Sequence, residues 1–281
     1  MKKVSSKESM PKPFLRWAGG KTYLVPFLRS LVPPDVNRGT YWEPFLGAGS
    51  LFFALQPPRA VLADRNADLI ACFRAVREHP DLILRHLQAY AARTSEEYYY
   101  AARARYNKSM DSTAKSAMFI YLNKTCFNGI WRVNKKGEFN VPYGHKKPPA
   151  LPSRAELLSA SAALRSAELR AGDFREVLKE AEAADFIYLD PPYPPLNKTA
   201  YFTHYTQEGF GVDSQIAVAK IATLLDKRGC RVLISNADTE FIRSLYDGFQ
   251  ILERGVTRWI RTDGKRYQAD EILVLNYDIA A

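Results

Sequence analysis

Phe186-Ile187-Tyr188-Leu189-Asp190-Pro191-Pro192-Tyr193 sets the frame for the chain. Four apolar residues in a row fit a strand buried on both faces, as in a parallel sheet. An acid and two prolines then end it, because proline fixes φ at about −65° and offers no N–H to a ladder. Open α/β sheets bind ligands beyond the carboxyl ends of their strands. This turn is therefore the first candidate site, with a merely proline-stiffened turn as the plain alternative.

Working outward, Thr40 to Phe45 reads as a strand running into the turn Leu46-Gly47-Ala48-Gly49-Ser50. Leu51 to Leu55 starts a helix, and Ala60 to Ala63 is a second apolar run ended by Asp64. Strand, glycine turn, helix, strand, acid is the opening of a doubly wound nucleotide-binding sheet. Before it, Lys21 to Leu31 reads as a short helix stopped by Pro33-Pro34. Downstream, Glu168 to Arg170 is a short strand before Gly172-Asp173, Gln215 to Leu225 a helix and Arg231 to Ser235 a strand. Phe249 to Arg254 and Glu271 to Tyr277 read as strands joined by a basic loop. Residues 68–125 carry helical spacing instead, and Asn128 to Pro152 is turn-rich and cationic. The expected fold is α/β: a Rossmann-like sheet with helices on both faces, formed by residues 1–67 and 166–281. A mainly helical insert, residues 68–165, interrupts it.

The 281 residues carry a formal net charge of +10, which favours a polyanionic partner, nucleic acid being the commonest, with a merely basic soluble enzyme as the plain alternative. Three scattered cysteines form no C-x-x-C pair, and the four histidines have no ligand spacing, so neither a disulfide framework nor a metal site is expected. The polar N-terminus has no apolar core of a signal peptide, and no apolar run reaches the roughly 20 residues of a membrane helix. A reducing, cytoplasmic setting follows as the expectation.

The chemistry of Asp190-Pro191-Pro192-Tyr193 suits an exocyclic amine of a base. Such a nitrogen is a poor nucleophile because its lone pair is delocalised into the ring. Two acceptors, the Asp190 carboxylate and the Pro191 carbonyl, would bind its two N–H groups and favour a pyramidal nitrogen whose lone pair points at an electrophile. Positive charge developing there is stabilised by the carboxylate, and the Tyr193 ring offers a stacking surface. Glu43-Pro44-Phe45-Leu46-Gly47-Ala48-Gly49-Ser50 lets a ligand approach the backbone, yet it is not the dinucleotide fingerprint G-x-G-x-x-G. Asp64, about 20 residues after the start of that motif, is placed to hold ribose hydroxyls. Phe14-Leu15-Arg16-Trp17-Ala18-Gly19-Gly20-Lys21 lacks the Walker A spacing.

Together these motifs resemble the adenine-N6 DNA methyltransferases related to the bacterial Dam methylase, in the order of that family's α group, over roughly residues 12 to 278. Leu122-Asn123-Lys124-Thr125-Cys126-Phe127-Asn128-Gly129, Gly137-Glu138-Phe139-Asn140-Val141-Pro142-Tyr143-Gly144 and Leu233-Ile234-Ser235-Asn236 extend the likeness. The resemblance implies a methyltransferase sheet using S-adenosylmethionine, with S-adenosylhomocysteine as product and no metal. It implies that Trp17, Lys21, Phe45, Gly47 and Gly49 line the donor pocket. Asp64 would hold the ribose, Asp173 with Phe174 the donor adenine, and Asp190 would also lie near the methionine part. Asp190, Pro191, Pro192 and Tyr193 would be catalytic.

The same resemblance makes residues 68–165 the target-recognition domain and double-stranded DNA the partner, associated with the nucleoid. A target adenine must leave the helix to be reached. Phe127, a tyrosine in most relatives, would fill the gap beside Asn128. Arg16 and Arg132 would read base edges, and Pro142 belongs to the same reading. Lys124, Lys265 and Arg266 would meet the DNA through its phosphates. GATC or another short adenine-containing site is the expected target. An N4-cytosine DNA methyltransferase and a catalytically silent DNA-binding regulator are the alternatives. A cognate restriction endonuclease, an epigenetic role, and monomer or homodimer all stay open.

Overall fold

The computed structural model describes residues 10–110, 112–145, 149–193, 210–258 and 267–279. The apolar runs form strands where the alternation with helices places them: β1 Tyr41–Glu43, β2 Ala60–Asp64, β3 Ala167–Ala171, β4 Phe186–Leu189, β5 Arg231–Ala237, β6 Gln250–Arg258 and β7 Tyr267–Leu275. They make one seven-stranded sheet in the order β3-β2-β1-β4-β5-β7-β6. β1, β4 and β5 pair in parallel, whereas β7 runs antiparallel between β5 and β6. This is the α/β, Rossmann-like sheet expected. All four residues of β4 are buried, as their unbroken apolarity requires in a central parallel strand. β6 and β7 are each nine residues long, beyond the runs the sequence marks. Their ladder is made by backbone groups, which continue through Gly255, Gln268 and Asp270.

Contacts within the chain cluster into two compact units. The first comprises Met1–Ser30, Leu46–Pro57 and Leu62–Gly172. It holds α1 Val25–Leu31 in part, α2 Ser50–Leu55, α3 Ala67–Glu78, α4 Pro80–Ala91, α5 Glu96–Lys108, α6 Thr113–Thr125 and α7 Arg154–Leu164. The first helix starts at Val25 rather than Lys21, because Pro26, with no N–H, fits only the first turn. α3 lies along β3: Arg77 Nη1 donates to the Ala167 carbonyl at 2.9 Å, and Arg74 reaches that of Leu169. Serine caps fix three of these helices: Ser95, Ser112 and Ser153 each accept from the backbone N–H of the third residue of their own helix, and Ser153 completes a capping box with Glu156.

The second unit comprises Leu31–Phe45, Pro58–Val61 and Asp173–Ala281, with α8 Phe174–Val177, α9 Val212–Lys227 and α10 Glu240–Ser244. Buried Asp185 anchors it, accepting from Thr40 N at 2.7 Å and Trp42 Nε1 at 2.8 Å, and so holds β1 beside β4. Among the described residues no helix is long and apolar enough to cross a membrane.

Candidate active site

Asp190 follows directly on β4. Because Leu189 pairs with Ile234, Asp190, just past the end of β4, stands beside Ser235 of β5. Ser235 Oγ donates to Asp190 Oδ1 at 2.6 Å, and Tyr188 Oη lies 3.1 Å from the same Oγ. A serine hydroxyl has one proton to give, so with the carboxylate ionised Tyr188 donates to Ser235. Pro191 is buried and Pro192 exposed. The Pro192 carbonyl accepts from Gln215 Nε2 at 2.8 Å, and Gln215 Oε1 accepts from Asn236 Nδ2 at 3.0 Å. Tyr193 is half-buried at the edge of the described chain.

The same unit gathers three phenylalanine rings. Phe45 lies 5.1 Å from Phe174 and 5.7 Å from Phe210, and Phe174 lies 6.2 Å from Phe210. Such a cluster offers apolar faces to a flat heterocycle. Asp173 caps α8 by accepting from Arg175 N at 2.9 Å, and it pairs with the Arg175 guanidinium at 2.9 Å. A ligand that uses its carboxylate competes with that arginine.

In the first unit the glycine loop is built around Asp64. Its two oxygens accept from Gly47 N at 3.1 Å and Asn66 N at 2.9 Å. Burial pushes this carboxyl up, against the two backbone donors that pull it down. Gly47 and Gly49 both have positive φ, +48° and +68°. A Cβ on Gly47 would sit 2.7 Å from Cδ1 of Trp17, so the indole occupies the space a side chain would need. Trp17 in turn stacks on Phe119 with ring centres 6.3 Å apart, and Lys21 is buried.

The segment from Cys126 to Gly144 folds back on itself, with Phe127 N donating to the Pro142 carbonyl at 2.9 Å and Gly144 N to that of Thr125 at 2.9 Å. Phe127 and Pro142 are thus brought together. Helix α5 holds the segment with three residues spaced by four, which share one face. Tyr99 Oη and Arg103 Nη1 donate to the Val141 carbonyl, while Asn107 donates to Phe139 O and accepts from Phe139 N. Trp131 is sandwiched between Phe119 and Phe139, with ring centres 3.8 and 4.2 Å away. Anchored so, the segment exposes Phe127, Asn128, Arg132, Lys135 and Lys136. The Arg132 guanidinium is aimed by Asn140, whose Oδ1 accepts from Nε at 2.9 Å.

Arg16 joins this segment. Buried Asn123 accepts from Arg16 N and donates to Arg16 O, both at 2.8 Å, as a strand partner would. Gly129, at φ +68°, leaves room for the Arg16 side chain, which a Cβ there would meet at 2.6 Å. Lys124 is pushed down to about 8, first by burial and then by the charge of Arg16; Lys12 adds to this and Glu156 opposes it. Lys265 and Arg266 lie outside the described residues. Among the described residues no cluster of His, Cys, Asp and Glu could hold a metal.

Sequence reasoning assigned no role to Ser235, Gln215, Phe210, Asn123, Trp131 or Asn140. Ser235 and Asn123 stand in stretches that carry the family likeness, and the Tyr99, Arg103, Asn107 spacing is visible in the sequence. Nothing local marks Gln215 or Phe210, because their partners lie more than twenty residues away.

A family model described as D12 class N6 adenine-specific DNA methyltransferase matches residues 17–260. The Type II methyltransferase M.MjaIII of Methanocaldococcus jannaschii is 39% identical over 286 residues, covering 95% of this chain and 99% of that protein. The Type II methyltransferase M1.LlaDCHI of Lactococcus lactis subsp. cremoris is 38% identical, covering 95% of each chain. The DNA adenine methylase of Escherichia coli strain K12 is 36% identical over 267 residues, covering 94% of this chain and 95% of that one.

Proposed function

This chain belongs to the D12 class N6 adenine-specific DNA methyltransferases, and from that premise we propose which residues carry its reaction and how DNA is held. The enzyme methylates adenine in DNA. S-adenosylmethionine, when bound, supplies an electrophilic methyl group. The residues present fit it: the Gly47 backbone runs bare against Trp17, and Phe45 and Phe174 offer apolar faces suited to its adenine. Trp17, Lys21, Phe45, Gly47, Gly49, Asp64, Asp173, Phe174 and Asp190 are the residues proposed to hold it.

Asp190 and the Pro191 carbonyl accept the two N–H groups of an adenine swung out of double-stranded DNA, and Tyr193 stacks on it. The observation that carries this reading is the Tyr188–Ser235–Asp190 chain, which fixes one carboxylate oxygen at the end of a buried strand. The methylated amine is acidic and gives up its proton without a strong base. Incubation with genomic DNA and labelled donor, followed by nucleoside analysis, tests it. N6-methyladenine, mapped by sequencing to GATC or another short site, is expected; N4-methylcytosine, or DNA binding without label, would overturn it.

Residues 68–165 are proposed to contact the target sequence, with Arg16 and Arg132 reading base edges, Pro142 belonging to the same reading, and Phe127 and Asn128 at the emptied position. Arg132→Ala is expected to lose about 1–3 kcal/mol of discrimination at one base pair while keeping most non-specific affinity. Mapping the methylated sites checks this, and equal loss on every sequence would make Arg132 a phosphate contact instead. Lys124 gives a pH signature. Its amine is charged below about 8 and neutral above, so DNA affinity should fall between pH 7 and 9. In Lys124→Arg the decline should flatten, since guanidinium stays charged. Two relatives are named Type II methyltransferases, which supports a place beside a cognate restriction endonuclease.

A further inference from the structure

Gln215 and Asn236 are fully buried, with no surface exposed to solvent. Burying a side-chain amide costs free energy unless its groups are hydrogen-bonded, and a satisfied buried network fixes one geometry. Here the bonds run in one direction. Asn236, at the end of β5, accepts from Ala237 N at 2.8 Å through Oδ1 and donates to Gln215 Oε1. That leaves the Gln215 Nε2 end to face the turn after β4, where it meets the Pro192 carbonyl at 2.8 Å. Of the two proline carbonyls, the second is thereby taken by the protein, and the peptide that bears it is held from inside the core. Pro191 is rigid in φ and Pro192 is pinned at its carbonyl, so the direction of the Pro191 carbonyl between them is set as well. The same helix entrance carries Phe210, whose ring packs on Phe45 and Phe174. One rigid element, the start of α9, therefore bears on both the turn and the aromatic cluster.

We infer that Gln215 is a positioning residue for methyl transfer: by holding the Pro192 carbonyl, and itself held by Asn236, it aims the Pro191 carbonyl at the target amine. The inference rests on the reading of Asp190 and Pro191 as the acceptors of that amine. Gln215 touches neither DNA nor donor in this role, so its loss acts on the rate of the chemical step and not on binding. A misplacement of about 1 Å in a reacting geometry costs on the order of 10²-fold in rate.

The test uses the full-length enzyme with Gln215→Met and Gln215→Glu. Single-turnover methylation is measured at saturating S-adenosylmethionine and DNA, alongside the Kd of each. Gln215→Met keeps the length and loses both hydrogen bonds; it is expected to lose about 10- to 100-fold in rate with both Kd values within about threefold. Gln215→Glu presents a carboxylate, which repels the Pro192 carbonyl when ionised and donates to it when protonated. Burial raises a carboxyl pKa, so its rate relative to the unaltered enzyme should recover at least about tenfold from pH 8.5 to 6. Asp190, two residues from Pro192, and Tyr246, packed beside Asn236, are present in both proteins, and their effects divide out in that ratio. A wild-type rate in Gln215→Met, a loss that appears in the Kd values, or a flat ratio for Gln215→Glu would overturn the inference. Should Gln215→Met not fold, the Gln215→Glu ratio decides alone. Asp190→Ala, measured in parallel, separates the two levels: retained turnover there sinks the underlying reading whatever Gln215 does.

Discussion

Asp190→Ala is expected to lower single-turnover methyl transfer, measured at saturating donor and DNA, by on the order of 10³-fold, with the fold intact. In the proposed role the carboxylate would do two things: take one N–H of the amine, and stabilise the positive charge that grows on nitrogen as the methyl group arrives. Alanine removes both and leaves the Ser235 hydroxyl, which donates to Asp190 Oδ1 at 2.6 Å, without that acceptor. Asparagine is the informative partner variant. It keeps an oxygen for Ser235 but loses the charge, so its rate should fall between alanine and the unaltered enzyme. Rapid-quench measurement with labelled donor distinguishes them. An Asp190→Ala enzyme that turns over normally would remove Asp190 from the site.

Gly47→Val should cost about 10- to 100-fold in donor affinity, read by titration with S-adenosylhomocysteine. Two effects add. At φ +48° a β-branched residue is strained by about 1–3 kcal/mol, and each 1.4 kcal/mol is about tenfold in an equilibrium constant. The added Cβ would also stand 2.7 Å from the Trp17 indole, so the loop or the tryptophan must move. Any shift of the loop further loosens the Gly47 N–H bond to Asp64, whose carboxyl is already pushed up by burial. Gly137→Ala is the control. It too has positive φ, +79°, but nothing lies within 4 Å of its would-be Cβ. It should carry the backbone strain alone and leave donor affinity unchanged. Equal losses in the two variants would mean that global destabilisation, and not the Trp17 contact, explains Gly47.

The acid–proline–proline–tyrosine turn was legible because each link in it is local. Four apolar residues make a buried strand, two prolines end it, and the acid between them must stand at the strand's carboxyl end. The glycine loop and Asp64 were legible for the same reason, as were the helices of residues 68–125 and the turn-rich cationic segment after them. Helix α1 shows where local reading slips: the stretch before Pro33-Pro34 reads as helical from Lys21, but the missing N–H of Pro26 moves the start to Val25.

What the sequence determined by itself was which residue types recur in which order along the chain, since backbone propensity and turn chemistry act between near neighbours. What only the tertiary structure decided was which of them support one another. Ser235 meets Asp190 because β5 pairs with β4 in a register of backbone hydrogen bonds, and Asn123 clamps Arg16 across 107 residues of chain. Gln215 and Asn236 look in sequence like two ordinary polar residues. Burial turns them into a support for the Pro192 carbonyl, because an amide shut away from water must find its partners wherever the fold has brought them.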